Sequence, residues 1–350
     1  MKTIKLILFY GLAMMLFFES VDAKDGNNPT RITLMTHDSF NVSKKVVAEF
    51  EKKHHAKIQF LKAGDSGAAL NQAILSKNNP MADLFFGVDN TFLSRALGAG
   101  IFQPYDSPLL DQIPDDLKLD MENRLLPVDY GDVCLNYDKK WFKDKGLAPP
   151  SSLSDLIKPD YKGLLVIENP ATSSPGLAFL LTTTGRFGKD KYLDFWKKLK
   201  ANDVMVVDGW ESAYWGQFSA SKKGTRPIVI SYASSPAAEV YYAKTPLPQA
   251  PTAAITTPGT AFRQIEFVGI LKGTKQRRLA EALVDFMLSR PFQEDIPLQM
   301  FVFPANQTAH LPEIFVKHTK IAQAPVEVSP VEIDLNRERW IESWTQTVLR

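Results

Sequence analysis

Apolar residues recur along the first third of the chain with two alternating periods, those of a buried strand and of an amphipathic helix. The segment 83–88 is almost wholly apolar, which is typical of a strand inside a parallel sheet. The pattern predicts three strand–helix pairs, at residues 31–36 and 42–53, 57–61 and 66–76, and 83–88 and 91–99. Three such pairs in about 70 residues predict an open α/β lobe with right-handed crossovers.

After residue 126 the pattern is less regular, but strands still alternate with helices. Strands are predicted at 133–137, 164–167, 204–207, 227–231 and 262–271, and helices at 154–157, 175–184, 191–201, 211–221, 276–288 and 334–349. The strand at 262–271 is expected to return to the first lobe. Two α/β lobes joined by more than one crossover leave a cleft, and ligands of such sheets sit beyond the carboxyl ends of the strands.

The composition is that of an ordinary folded protein. Hydrophobic residues make up 45% of the chain and charged residues 23%, which excludes a disordered or collagen-like protein. The length of 350 residues predicts two domains. Lys and Arg number 41 against 39 Asp and Glu, a formal net charge of +2. This balance gives no basic surface for nucleic acid, so no nucleic-acid partner is expected.

The N-terminal segment has the features of a secretory signal peptide. Lys2 and Lys5 precede an apolar run of 13 residues at 6–18, and residues 21–23 are short side chains at a cleavage position. The run is shorter than the ~20 residues that are needed to cross a bilayer. The alternative to a cleaved signal peptide is a membrane anchor that is not cleaved. We therefore expect export, with cleavage near Ala23.

Cys134 is the only cysteine, which excludes an intramolecular disulfide. It lies in an apolar alternating run, so we expect a buried structural thiol. Trp340 and Trp344 stand one helical turn apart and are predicted to pack in the core.

Three polar loops follow predicted strands of the second lobe. Ser173 and Ser174 precede Pro175 at a predicted helix start, which fits either simple capping or a seat for phosphate or another anion. Trp210 immediately precedes the helix predicted at 211–221. Its side chain either packs within the lobe or stacks on a ring of the ligand. Tyr232 ends a strand and is expected to present its hydroxyl to the cleft.

Acidic residues follow the three strands of the first lobe. Asp38, Asp65 and Asp89 each come shortly after a strand, where a lone Asp usually caps the next helix. Three such turns on one sheet edge would also place several carboxylates on one cleft wall. Carboxylates facing aromatic rings suit a flat cationic ligand through charge pairing and cation–π contact.

Motifs of enzymes and metal sites are nearly absent. The sequence contains no G-x-S-x-G, H-E-x-x-H, Walker or G-x-G-x-x-G motif. An exported hydrolase using Ser173 or Ser219 would lack a recognisable base, because none of the five His lies in a catalytic motif. The supply of Cys and His does not indicate a metal site, and no cofactor is expected.

Seven short segments occur together in the order and approximate spacing of one protein family. They are residues 37–40, 87–90, 127–131, 171–177, 208–210, 231–236 and 292–297. Through them the chain, from about residue 31 onward, resembles the periplasmic thiamine-binding proteins of bacterial ABC importers. The resemblance implies an α/β, two-lobed type II periplasmic-binding fold with a ligand cleft between the lobes. The expected division is a signal peptide at 1–23, lobe 1 at 24–126 and 265–300, and lobe 2 at 127–264 and 301–350.

The resemblance also implies which residues bind the ligand. Ser173, Ser174, Trp210 and Tyr232 match positions near the hydroxyethyl or phosphate end of thiamine, and Asp65 matches the acidic residue near its rings. Three positions depart from the family: His37 stands where Tyr is usual, Phe301 where a Trp stacks, and Ala238 at another aromatic position. The candidate ligand-binding residues are His37, Asp38, Asp65, Ser66, Asp89, Ser173, Ser174, Trp210, Tyr232 and Phe301.

These observations rank three functions. The first is a monomeric solute-binding protein, without catalytic activity, that delivers thiamine or thiamine phosphates to an inner-membrane ABC permease and its ATPase. The second is the same fold with another ligand: ferric ion, a polyamine or a phosphonate. Iron-binding relatives use two adjacent tyrosines at a strand end, whereas Tyr232 is followed by Ala233 and the pair Tyr241-Tyr242 lies in a predicted helix. The third is the exported serine hydrolase.

Overall fold

A computed structural model describes residues 28–221 and 223–350. The predicted signal peptide lies outside these residues. The strands are β1 Thr30–Thr36, β2 Ala56–Lys62, β3 Leu84–Asp89, β4 Phe102–Gln103, β5 Leu126–Asp138, β6 Leu165–Glu168, β7 Met205–Val207, β8 Ile228–Tyr232, β9 Thr252–Ile255, β10 Ala261–Leu271 and β11 Phe303–Pro304. The helices are α1 Lys44–His54, α2 Ser66–Leu75, α3 Leu93–Gly98, α4 Lys139–Lys145, α5 Ser174–Phe187, α6 Tyr192–Ala201, α7 Ser235–Tyr241, α8 Arg277–Leu288, α9 Arg290–Gln299, α10 Glu313–His318 and α11 Pro330–Val348.

The eleven strands of the described residues form one mixed sheet, whose main path is β2-β1-β3-β10-β5-β8-β6-β7. In the first lobe β1 is parallel to both β2 and β3, and in the second lobe β6 is parallel to both β7 and β8. The two long strands β10 and β5 are antiparallel to each other and join the two parallel groups. The chain therefore passes between the lobes in the middle of the sheet, as the strand predicted at 262–271 required.

Local sequence explains where the helices begin. Ser43 caps α1 by accepting a hydrogen bond from the Val46 amide, and Ser329 caps α11 in front of Pro330. Asp65 caps α2, as the lone-Asp rule predicts. All six residues of β3 are buried, which agrees with its apolar sequence.

The helix predicted at 211–221 was wrong. The segment instead forms a π-helix at Ser212–Gln217 and a separate 3₁₀ turn at Ser219–Ser221. In a π-turn the backbone hydrogen bonds join residues five apart instead of four, and such turns are common at functional sites. The spacing of apolar residues does not distinguish a single π-turn from an α-helix. The strand predicted at 133–137 is longer than expected and begins at Leu126. The prediction started it after Pro127 and Gly131, but β5 contains both residues.

The core includes the residues predicted to be structural. The Cys134 side chain is buried, and burial raises the pKa of its thiol, so the expectation of a buried structural thiol is confirmed. Trp344 of α11 meets Trp196 of α6 edge to face at 5.6 Å, and the Trp196 indole donates to Thr183 at 2.9 Å. Within the described residues, no helix has the length and apolar character needed to cross a membrane.

We expect Trp344→Ala to lower the free energy of unfolding by about 3–5 kcal/mol, because it empties a fully buried site between α11 and α6. Leu335→Ala on the same helix is the control, since Leu335 is 76% exposed and its loss is expected to change stability by less than about 0.5 kcal/mol. Urea unfolding of both variants measures the difference. Equal effects of the two substitutions would contradict the packing of α11 described here.

Candidate functional site

A cavity of about 300 Å³ lies between the two lobes. It opens beyond the carboxyl ends of β1, β2, β7 and β8, which is where open α/β sheets hold ligands. Its volume is at the lower end of the range for small-molecule sites. The aromatic residues of its wall are Phe40, Trp210, Tyr214, Trp215, Tyr232, Tyr242 and Phe301, and the charged ones are Asp38, Asp65, Glu211, Glu266, Lys62 and His37.

The structure brings most of the predicted site residues together at this cavity. Those that line it are His37, Asp38, Asp65, Ser66, Trp210, Tyr232 and Phe301. Asp89, Ser173 and Ser174 do not line it, and each is at most 1% exposed behind the wall. A direct contact between these three and a ligand therefore stays a prediction.

Asp65 connects the two lobes. Its Oδ1 accepts a hydrogen bond from the Ser66 amide at 2.8 Å within its own lobe, and its Oδ2 accepts one from the Trp210 amide at 3.1 Å in the other lobe. Burial raises the pKa of Asp65 above its ordinary value, and the neighbouring Ser173 hydroxyl partly offsets this shift. One carboxylate thus faces the cavity and joins its two walls.

Two glycines lie where the lobes touch. A Cβ on Gly67 would lie 3.0 Å from the Thr172 carbonyl oxygen, and one on Gly209 would lie 2.9 Å from Asp65 Oδ2. Ordinary side chains do not fit at these distances. The lobes are therefore in direct contact beside the cavity.

Trp210 is held as part of an aromatic group on the second lobe. Its ring stacks on Tyr214 with centroids 5.1 Å apart and meets Trp215 edge to face at 6.1 Å. Its indole nitrogen donates to Ser231 Oγ at 2.8 Å. The π-turn places Tyr214 and Trp215 beside Trp210, so all three rings reach the cavity wall. Trp210 thus packs within its own lobe and also lines the cavity, and its role as a platform for a ligand ring stays a prediction.

Phe301 anchors a second aromatic group, which sequence reasoning found only in part. Its φ of 56° lies in the left-handed region, which is uncommon for a bulky residue and often marks a functional segment. Tyr241 and Tyr242 pack on its ring at 5.8 and 5.5 Å. Tyr242 also lines the cavity, one helical turn after Ala238. The spacing of four residues is the pattern that could have identified it, because both positions share a helix face.

His37 pairs with Glu266, a cavity residue that the sequence analysis missed. His37 Nε2 lies 3.3 Å from Glu266 Oε1, and both side chains are almost fully buried. Burial alone lowers the pKa of His37, but the Glu266 carboxylate outweighs it, so the pKa lies above its ordinary value. Glu266 stands at an irregularity in the pairing of β10, where a bulge turns a side chain toward a site. Inside a predicted strand, nothing marks it as different from its neighbours.

Buried carboxylates continue behind the wall. Glu266 is paired in register with Asp89 on β3 and with Asp129 on β5. Burial raises the pKa of Asp129 well above its ordinary value, and the nearby Glu266 adds to the shift. Burial likewise raises the pKa of Asp89, to about 6. Tyr232 does not simply present a free hydroxyl to the cleft, since its hydroxyl donates to Gln264 at 3.3 Å.

The helix start predicted at Ser173 and Ser174 is present, with Pro175 in the first turn of α5. Burial raises the pKa values of Asp65 and Asp89, and the Ser173 and Ser174 hydroxyls, respectively, offset part of these shifts. Among the described residues, neither hydroxyl has a hydrogen bond of regular geometry. No group of three or more potential metal ligands occurs in residues 28–221 and 223–350.

We expect the Asp89→Asn variant to be more stable than the wild type, by a difference in unfolding free energy that grows as the pH rises from about 4 to 6. The folded-state pKa of Asp89 is about 6 against 3.8 in the unfolded chain, so ionisation lowers stability across this window and the loss is complete above it. The variant does not titrate there, and its Oδ1 can still accept from Thr91.

Urea unfolding at pH 4, 5, 6 and 7 measures this difference, with a maximum of about 3 kcal/mol. Asp83→Asn, at another Asp that accepts from a backbone amide, is the control. A difference that stays constant from pH 4 to 7 would show that Asp89 does not have a raised pKa.

Comparison with known proteins agrees with this geometry. The family described as bacterial extracellular solute-binding protein matches residues 79–319. The thiamine-binding periplasmic protein of Brucella abortus biovar 1 is 30% identical over the whole of both chains. That of Escherichia coli K12 is 32% identical, over 91% of this chain and 94% of its own.

Solved structures have the same fold. A periplasmic thiamin binding protein superposes with a TM-score of 0.81 and 28% identity, covering 92% of this chain and 97% of its own. A ferric binding protein from Campylobacter jejuni reaches a TM-score of 0.73 at 17% identity, over 90% of this chain and 99% of its own, which shows a common fold alone. The resemblance found through the seven segments and the two-lobed fold it implied are confirmed. The chain belongs to the family of bacterial extracellular solute-binding proteins.

Proposed function

We propose that this solute-binding protein captures thiamine in the cavity between its lobes and delivers it to an ABC permease and its ATPase. The observation that carries the proposal is the combination of carboxylates and aromatic rings that line the cavity. The relatives named as thiamine-binding, at about 30% identity over nearly the whole chain, support the same ligand.

The chemistry of the wall suits a flat, positively charged ring. Asp65 and Glu266 supply negative charge, while the Trp210 group and the Phe301 group offer ring faces. A cation held over an aromatic face gains up to about 2 kcal/mol when it is removed from water. His37, Trp210, Tyr232 and Phe301 are proposed to contact the ligand, together with Asp38, Asp65 and Ser66.

The position in the cell and the lobe boundaries belong to the same proposal. We infer that the protein is exported to the periplasm, with its signal peptide cleaved near Ala23, and acts as a monomer without catalysis. The proposed lobes are residues 24–126 with 265–300, and 127–264 with 301–350. The pairing of β3 with residues 266–270, and of β8 with residues 133–137, supports boundaries inside β5 and β10.

Closure of the lobes is proposed to depend on the ligand. A ligand favours the closed state only as far as its affinity for that state is greater, and contacts to both lobes provide this difference. Asp65 and Trp210 belong to different lobes and both line the cavity. Rotation about β5 and β10 would separate them and open the site as a hinge.

Three other ligands and one enzyme are the alternatives. The four carboxylates of the wall would also suit a polyamine, which makes it the second candidate. They disfavour a phosphonate, and the absence of a metal-ligand cluster in the described residues gives ferric ion no support. For a hydrolase, Ser219 donates to Asp138 and Ser173 is fully buried, so neither hydroxyl is paired with a histidine base.

We expect thiamine to raise the melting temperature and to bind with a measurable heat, since a ligand at about 100 times its Kd adds about 2.7 kcal/mol of stability. Trp210→Ala is expected to weaken thiamine binding at least about tenfold, through loss of ring contact. Spermidine, ferric citrate and 2-aminoethylphosphonate complete the thermal-shift panel.

The control for this loss is Trp141→Ala. Trp141 is a half-buried tryptophan of α4 that packs on Phe142 and does not line the cavity. A shift with spermidine and none with thiamine would replace the proposed ligand. Equal thiamine affinity in the Trp210 and Trp141 variants would remove Trp210 from the site.

We also expect Gly209→Ala to weaken thiamine binding about fivefold or more while the protein stays folded. The new Cβ would lie 2.9 Å from Asp65 Oδ2 and displace this carboxylate from the Trp210 amide, so the closed state loses a contact between the lobes. Gly216→Ala, where no atom lies within 4 Å of the new Cβ, is the matched control. Calorimetric affinities that are unchanged in both variants would show that closure does not depend on this contact.

A further inference from the structure

One aromatic ring at the edge of the cavity has no role in the proposed function. It belongs to Tyr242, which packs with Tyr241 on the ring of Phe301. Phe301 is 7% exposed, whereas Tyr242 is 55% exposed and also lines the cavity. More than half of the surface of Tyr242 is therefore uncovered, and a ligand in the cavity could bury part of it.

The helix α7 determines where this ring stands. The Tyr242 amide donates to the Ala238 carbonyl oxygen at 2.9 Å, so the helical hydrogen bonds continue to the end of the last turn. Residues four apart share a helix face, and both Ala238 and Tyr242 line the cavity. Ala238 contributes only a methyl group to this face. The ring that α7 offers to the cavity is therefore that of Tyr242, one turn further along.

The preceding residue, Tyr241, has the same packing but a different direction. Its ring lies 5.8 Å from that of Phe301 at 58°, and the Tyr242 ring lies 5.5 Å from it at 59°. Neighbouring residues of a helix are turned by about 100° from each other, and Tyr241 does not line the cavity. The two tyrosines therefore support Phe301 alike and differ in whether they reach the cavity.

We propose that the ring of Tyr242 contacts the ligand directly and forms the wall of the cavity at the end of α7, where Ala238 supplies no ring. The inference rests on the proposed function and adds a binding residue to it. Phe301 and Tyr242, whose rings are inclined by 59°, then border the ligand from two directions. The face of a tyrosine ring attracts a cation as well as burying apolar surface, which suits the charge of thiamine.

The test compares the thiamine affinities of Tyr242→Ala and Tyr241→Ala by calorimetry. We expect Tyr242→Ala to weaken binding about fivefold to tenfold, as for one lost ring contact, and Tyr241→Ala to change the affinity less than about twofold. Equal losses in the two variants would show that Tyr242 acts only by supporting Phe301, and this result would overturn the inference. An unchanged affinity of Tyr242→Ala would overturn it as well. Urea unfolding of both variants checks that each stays folded.

A third variant, Tyr242→Phe, keeps the ring and removes the hydroxyl. We expect it to bind thiamine within about twofold of the wild type, because the contact is made by the ring face. A loss as large as that of Tyr242→Ala would assign the contact to the hydroxyl and overturn the inference. Thiamine binding by the wild type separates the two proposals: if the wild type does not bind thiamine, the proposed function fails together with the inference, whereas the outcomes that contradict the role of Tyr242 leave the proposed function standing.

Discussion

The carboxylate of Asp65 is the constraint on which the closed site depends. It caps α2, accepts from the Trp210 amide of the opposite lobe and lines the cavity. Gly209 is required beside it, because a side chain there would occupy the space of its Oδ2. The position of Trp210, and with it the aromatic group built on the π-turn, is therefore fixed relative to the first lobe by one acidic residue.

The order of the sheet explains why this residue can meet both lobes. The parallel strands of each lobe end at the cleft, and β10 and β5 join the two groups in the middle. Loops that follow β2 and β7 are far apart in sequence, yet they face each other across the cavity. Glu266 enters the same space from β10 itself, where the pairing is irregular. The site thus combines loop residues from both lobes with one residue of the connection between them.

Much of this arrangement could be predicted from the sequence, because strand–helix alternation and polar residues at strand ends are local patterns. Those patterns indicated the loops of Asp38, Asp65 and Trp210, and all three residues line the cavity. They could not locate Glu266, whose exposure to the cavity arises from a bulge between β10 and β5, nor the π-turn, which has the apolar spacing of an α-helix. Ser174 and Asp89 were predicted to contact the ligand, but both are buried behind the cavity wall, and the depth at which a strand end is covered is not encoded in a local pattern.

Burying so many acids has a consequence for the ligand. Asp89, Asp129 and Glu266 lie side by side on three neighbouring strands, and burial raises the pKa of the first two. Desolvation of this kind is a cost of the folded state, which nearby hydrogen bonds and positive charge can offset. His37 offsets part of it through Glu266. A cationic ligand beside Asp65 and Glu266 would offset more of it, whereas an anionic group would add to it. The buried carboxylates therefore favour a positively charged ligand in the cavity over an anionic one.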